Sequence, residues 1–252
     1  MQSAENGKSN IYLYDGSFAG FLSAVFEAWC DKNFLDIRTC ESLQPGFFDR
    51  HISVETDERK AERILQWLCK KISDTTESVI YDYFMSEAPK RERVLYFYLR
   101  ACGRYGRGVN AHLTDPGVLD FINAWKPFRR EREKLMGFVR FRELEGNLLF
   151  SEISPEYNQL PFLGAFFFDR LTALPWMIYD SGRHKAALSD GTRWTVAEQI
   201  TVNSLSEKKD AFDFETLWKN YLQALSIKER ENKKLQRQML PMKYRNFMTE
   251  FS

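Results

Sequence analysis

The feature that most constrains this 252-residue chain is a change in hydrophobic period at Gly137. Before it, apolar residues recur mostly three and four positions apart; after it, they alternate. The first spacing makes a stripe on a helix and the second makes one face of a strand, so neither an all-helical nor an all-β fold satisfies both halves. The helical half is plainest at Phe18, Phe21, Leu22, Val25, Phe26 and Trp29, which predict a core helix from Phe18 to Trp29. A short strand at Ile11 to Asp15 leads into it, with Gly16-Ser17 as turn and N-cap. A second strand at His51 to Glu55 passes through Thr56 and Asp57, both cap candidates, into a helix with Ala61, Ile64, Leu65, Leu68 and Ile72 on one face. Helices are expected at Val79 to Met85 and at Arg91 to Cys102, where Gly103, Gly106 and Gly108 break the pattern. A further helix starts at Asp115-Pro116 and runs to about Met136, with Pro127 as a place for a bend.

In the alternating half, Phe138, Arg140, Arg142 and Leu144 face one way and Val139 and Phe141 the other. Glu145-Gly146-Asn147 reads as a hairpin turn returning through Leu148 to Ile153. A phenylalanine-rich helix, Pro161 to Leu171, precedes strands at Trp176 to Asp180, His184 to Leu188 and, across Asp190-Gly191, Arg193 to Val196. The expectation is an α+β fold, a mainly antiparallel sheet packed with several amphipathic helices, ending in a helical C-terminal tail. Residues 1–10 form a polar N-terminal segment. Residues 11–252 then make a single α+β domain, with a polar loop or linker at 204–213 before an amphipathic helix carrying Phe214 to Leu225.

A hydrophobic fraction of 44% is enough for a real core, and 21 Phe, 11 Tyr and 6 Trp imply a core rich in rings, some of which can instead line a binding surface. No apolar run reaches the roughly 20 residues that cross a bilayer, and Met1 to Asn10 lacks the apolar stretch of a signal peptide, so a cytoplasmic location is expected. Cys30, Cys40, Cys69 and Cys102 are widely spaced and suit reduced, buried thiols. His51, His112 and His184 stand at no ligand spacing from one another or from a cysteine; no metal or cofactor is expected.

The net charge is only +1, so attraction to a polyanion has to come from local clusters. Three exist. Seven basic and two acidic residues give +5 both from Lys126 to Arg142 and from Ser226 to Arg245, and six basic residues oppose Glu92 between Lys90 and Arg107. Gly103-Arg-Tyr-Gly106-Arg-Gly108 is either a phosphate cradle or a helix-ending turn; it lacks the Lys-Ser/Thr of a P-loop. Asp15, Asp169, Asp180 and Asp190 are carboxylates at strand ends or beside arginines, and His184 lies between two cations; each is a candidate for chemistry or else a cap, turn or surface ion pair. Gly137-Phe-Val-Arg-Phe141 interleaves basic and aromatic side chains as single-strand binders do, or is a half-solvated strand.

Taken together, Tyr14-Asp-Gly-Ser-Phe18, Gly137-Phe-Val-Arg-Phe141, Trp176-Met-Ile-Tyr-Asp180, Leu217-Trp-Lys-Asn-Tyr221, Ile227-Lys-Glu-Arg230-Glu-Asn232 and Met239-Leu-Pro-Met-Lys-Tyr244 resemble a bacterial family linked to DNA metabolism and DNA repair. The resemblance implies a radical-SAM protein as genomic partner and a domain that also occurs joined to uracil-DNA-glycosylase-type domains. It departs from the family pattern at Glu133 and Phe166, where histidines are expected. The resulting expectation is an accessory DNA-repair protein that binds DNA and works with the radical-SAM partner. Contact is expected through Arg140 and Arg142, with Arg170, Arg183, Lys228, Arg230, Lys234, Arg237, Lys243 and Arg245. No catalytic residue is assigned. The alternatives are an enzyme of DNA or nucleotides with an unfamiliar site around Asp15, Arg170 or Asp180, and a protein adaptor that does not touch DNA.

Overall fold

The structure, a computed structural model, describes residues 9–40, 49–144, 147–200, 232–248 and 251. The chain divides into two compact units, Met1–Phe128 and Arg129–Ser252.

The first unit is built on strand β1 (Asn10–Tyr14), helix α1 (Phe18–Ala28) and strand β2 (Phe34–Thr39), followed by strand β3 (Arg50–Ser53). The sheet order is β2-β1-β3, and both neighbours run parallel to β1. A parallel pair needs a crossover, which α1 supplies between β1 and β2. Ile11 to Tyr14 are all buried, as a central parallel strand requires. Ser17 caps α1 by accepting from the Gly20 amide at 2.9 Å. Helix α2 (Glu58–Lys71) is capped by Asp57, which accepts from Arg59 and Lys60. Helices α3 (Asp74–Met85), α4 (Arg91–Tyr105), a 3-10 turn (Gly106–Ala111) and α5 (Pro116–Phe138) follow, the residues of α5 from Arg129 onward belonging to the second unit. The core is ring-rich: Phe21 packs on Phe84 at 5.3 Å, and Tyr98 stacks on Phe121 at 4.0 Å.

The second unit carries strands β4 (Arg142–Leu144) and β5 (Leu148–Ile153), helix α6 (Leu160–Arg170), and strands β6 (Trp176–Asp180), β7 (Lys185–Ser189) and β8 (Trp194–Ala197). Short helices α7 (Lys233–Met239) and α8 (Met242–Arg245) stand where a helical tail is expected. The sheet order is sequential, β4-β5-β6-β7-β8. Leu160, Leu163 and Phe167 of α6 pack on Trp176, Ile178 and Ala187, while Leu144, Phe150, Tyr179 and Ala186 form a second cluster. The stretch 204–213 and the helix expected at 214–225 lie outside the described residues.

The fold is α+β, but its sheets are not mainly antiparallel. The first is wholly parallel, and β5 pairs with β6 in parallel within an otherwise antiparallel second sheet. The reason is α6: a helix between two neighbouring strands returns the chain to the end where it began. Gly137 to Phe141 is not a strand either. Helix α5 runs through Phe138, and Val139 still donates to the Leu135 carbonyl at 3.0 Å. Leu135 and Val139 are both buried, so a helix already long wins over five residues of alternation. Of the four free thiols only Cys102 is buried; Cys30 and Cys40 are exposed.

Candidate nucleic-acid interface

Helix α4 buries Leu95, Tyr96, Tyr98, Leu99, Ala101 and Cys102 on its inner side. Its outer side carries Arg93, Phe97, Arg100 and Arg104, spaced i, i+4, i+7 and i+11. At 100° per residue these four fall within a strip about 60° wide, and at 1.5 Å per residue the strip is about 16 Å long. Each guanidinium lies against a ring. Arg93 sits 5.1 Å from the centroid of Phe97, Arg100 5.8 Å from that of Trp29, and Arg104 5.5 Å from that of Tyr105. Hydrogen bonds hold them there: Arg93 donates to the Leu35 carbonyl, Arg100 to the Tyr96 hydroxyl at 2.9 Å, and Arg104 to Asp115 at 2.6 Å. A guanidinium has five N–H groups in a planar fork, so these anchoring bonds leave donors for a phosphate, although the charge of Arg104 is already paired with Asp115. Phe97, 38% exposed, adds an open ring between the cations.

A cavity lies at each end of the strip. At the start of α4, Arg38, Lys90, Arg91 and Arg93, together with acidic Asp36, Glu87 and Glu92, line a polar cavity of about 820 Å³. Arg91 is held by Glu92 at 3.0 Å and lies over the Phe84 ring. Near the end of α4, Gly103 meets Phe26, Trp29, Arg63 and Trp67 around a pocket of about 560 Å³ with Cys30 on its wall. Trp29 and Trp67 meet edge to face at 5.8 Å, and Arg63 lies 5.0 Å from the centroid of Phe26. Gly103 leaves room for an indole here: a Cβ would stand 3.1 Å from Trp29 Cζ2, a close contact that a shift of a few tenths of an ångström relieves. Gly106, with φ of +62°, ends the helix, and its N–H bonds the Cys102 carbonyl. The glycine run is therefore a helix end and a contact surface for an indole.

The arginines and lysines singled out by sequence have mixed fates. Arg140 is not on a sheet; it folds back onto the carbonyls of Gly137 (2.8 Å) and Val139, closing the end of α5. Arg142 is exposed on edge strand β4, its guanidinium 5.2 Å from the centroid of its cross-strand partner Phe150. Arg170, Lys234 and Arg237 are exposed. Arg245 lies over the Phe251 ring. Lys228 and Arg230 lie outside the described residues.

Arg183 and Lys243 belong instead to a polar brace around residues 154–157. Arg183 donates to the carbonyls of Pro155 (3.0 Å) and Glu156 (2.6 Å), and to Asp180 at 3.0 Å. Asp180 is wholly buried; burial raises its carboxyl, with the Arg183 pairing opposing the rise. Glu131, 5% exposed, accepts from the amides of Glu156 and Tyr157, from Lys243 at 2.9 Å and from the Tyr244 hydroxyl at 3.0 Å. Burial alone would push Glu131 up, but these donors outweigh it and hold the carboxyl below the ordinary glutamate range.

The carboxylates considered for chemistry are similarly occupied. Asp15 leaves the end of β1 and accepts from the Ser17 amide and hydroxyl and from Thr56 at 2.7 Å, which holds it below the ordinary aspartate range. Asp190 accepts from Thr192 and Arg193 in the β7–β8 turn. Asp169 is exposed on α6. His184 is an exposed turn residue with φ of +54°, bonded to the Tyr179 hydroxyl at 2.9 Å. Glu133 pairs with Arg129 on α5, and Phe166 packs beside Phe167. Among the described residues, no cluster of three His, Cys, Asp or Glu side chains is placed to hold a metal ion. No described helix is long and apolar enough to cross a membrane.

A family model, that of the domain of unknown function DUF4130, matches residues 89–250, well over half of the chain. The chain belongs to the DUF4130 family. No curated protein matches it. The DUF4130 span opens immediately before α4 and so contains the whole arginine strip, whereas Phe26, Trp29, Arg63 and Trp67 precede it. The strip was visible to sequence only as a charge count between Lys90 and Arg107. Its i, i+7, i+11 spacing of arginine is the signal that places the charge on one side of a helix. Trp29 read as a core residue because it continues the apolar period of α1; it is that helix's C-cap and only half-buried.

Proposed function

We propose that this DUF4130 protein is an accessory factor of DNA repair in the cytoplasm, binding a nucleic-acid strand along the outer side of α4 and working with a radical-SAM enzyme. The observation that carries the binding is the line of three arginines on one strip of a helix, with the exposed Phe97 ring between the first two and each guanidinium lying against a ring. Phosphates are neutralised by the arginines, and bases stack on exposed rings and guanidinium planes. The assignment to DNA, and the radical-SAM partner, rest on the motifs shared with the DNA-repair family. Arg142, Arg170, Lys234 and Arg237 are further exposed cations suited to backbone contact on the second unit.

The test is fluorescence anisotropy of the full chain with labelled single- and double-stranded DNA across a salt series. On a single strand, replacing Arg93 and Arg100 together by glutamine removes two phosphate contacts and lowers the slope of log affinity against log salt by about 1.4. An unchanged slope removes α4 from the interface, and no affinity at low salt removes the reading itself. Co-purification with the radical-SAM protein tests the second half.

A further inference from the structure

We infer that the pocket between α1, α2 and α4 receives one unstacked nucleobase from the strand that lies along α4. This rests on reading α4 as the strand contact and adds a base-holding site to it. The walls are chemically of two kinds. Phe26, Trp29 and Trp67 provide ring surfaces, and Arg63 on the wall brings positive charge against Phe26; Arg100, outside the lining, lies over the Trp29 ring. A cavity of about 560 Å³ lies within the size range of small-ligand sites, which run from roughly 300 to 1,000 Å³. Rings alone would suit any flat apolar group. The surrounding arginines select one that arrives on a polyanion, and a base on its phosphodiester chain is such a group.

Position supports the same occupant. Gly103 is three residues beyond Arg100, about 4.5 Å along the helix, so the pocket opens beside the last turn of the arginine strip. The missing side chain at Gly103 lets the Trp29 indole lie against α4 and keeps that side of the pocket clear; a Cβ there would stand 3.1 Å from the ring. Trp67 stands edge-on to Trp29 at 74°, so the two indoles form an angled corner and not a closed stack. A base placed in that corner lies flat on one ring and meets the edge of the other, both favourable arrangements for aromatic groups. Stacking is tolerant of base identity, because every base has a π face. The pocket is therefore expected to register that a base is present and unpaired more strongly than which base it is.

The experiment compares a single-stranded oligonucleotide with an abasic strand of the same length, using wild-type chain, Trp67→Ala and Gly103→Glu. Wild type should bind the base-bearing strand about 5- to 150-fold more tightly, the range expected for one stacked base. Both variants should lose most of this preference, and Trp67→Ala, which changes no charge, should keep the wild-type salt slope. Gly103→Glu, an exposed helical position whose new side chain blocks the mouth of the pocket, serves if Trp67→Ala does not fold. Equal wild-type affinity for the two strands overturns the inference and leaves strand binding by α4 standing. A preference undiminished in both variants also overturns it, by placing the base elsewhere. Binding of neither strand overturns the proposed function first. Capture by Trp29 and Trp67 of an aromatic peptide from the radical-SAM partner, with no difference between the strands, would reassign the pocket to protein docking.

Discussion

Replacing Glu131 by glutamine keeps its shape and removes its charge, and the structure sets the size of the effect. The carboxylate accepts from the Glu156 and Tyr157 amides, from Lys243 and from Tyr244 at 2.9 to 3.1 Å while only 5% exposed. Glutamine offers one acceptor oxygen where two now serve, and its NH₂ group turns a donor toward donors. Hydrogen bonds to a charged group contribute about 1.5–3 kcal/mol each, and a buried donor left unmatched costs about 1–3 kcal/mol. Lys243 is 46% exposed, so its share is reduced by solvent. A loss of about 2–4 kcal/mol in urea unfolding is expected. The effect is also pH-dependent. The folded carboxyl titrates below the ordinary value of about 4.5, so its stabilisation is complete above that pH and disappears as pH falls through the lower, folded value. Glu131→Gln should lack this acid component, and hydrogen exchange at the Glu156 and Tyr157 amides should accelerate. A loss below about 1 kcal/mol, or an acid limb identical to that of wild type, would refute the reasoning.

Arg183→Met leaves the buried Asp180 without its cation and two carbonyls without a donor; a loss of about 3–5 kcal/mol is expected in denaturant unfolding. Asp180 already titrates above its ordinary value, so the deficit should grow from pH 4 to pH 7 as the unpaired carboxyl is forced to ionise. Gly20→Ala places a Cβ 2.2 Å from Asp15 Oδ1 and 2.9 Å from Thr56 Oγ1. It should cost about 1–3 kcal/mol, and most of that should vanish on an Asp15→Ala background, as a double-mutant cycle would read. Gly164→Ala drives a methyl to 2.4 Å from the Trp194 ring, forcing α6 off β8. A similar loss, relieved by Trp194→Leu, is the expected melting result.

Local chemistry was the most legible part of the sequence. Ser17 and Asp57 cap the helices that their positions announce, and Trp176–Asp180 is a strand over the same residues that the pattern marks. What depends on distant pairing was less so. Strand β2 escaped notice because Phe34–Thr39 buries only Ile37 and spends Asp36 and Arg38 on an ion pair, so its alternation is masked by charge. Pairing direction has no signature within a strand; it lies in what joins two strands, and α6 between β5 and β6 is the sign of a parallel step. At the candidate interface the cations could be counted but not sorted. Arg183 and Lys243 look as available as Arg100 until Asp180 and Glu131 are brought beside them, across 3 and 112 residues of chain.

Helix α4 leaves little room for silent variation. Leu95 and Leu99 are fully buried, Cys102 nearly so, and on the opposite side Arg93, Arg100 and Arg104 each hold a ring in place. A side chain at Gly103 would press on the Trp29 indole at 3.1 Å. A random change in this segment therefore meets either the interior or the decorated exterior, with few neutral positions between. Heritable drift is channelled into the loops around α4, and its two sides can change only through substitutions that each satisfy a different requirement.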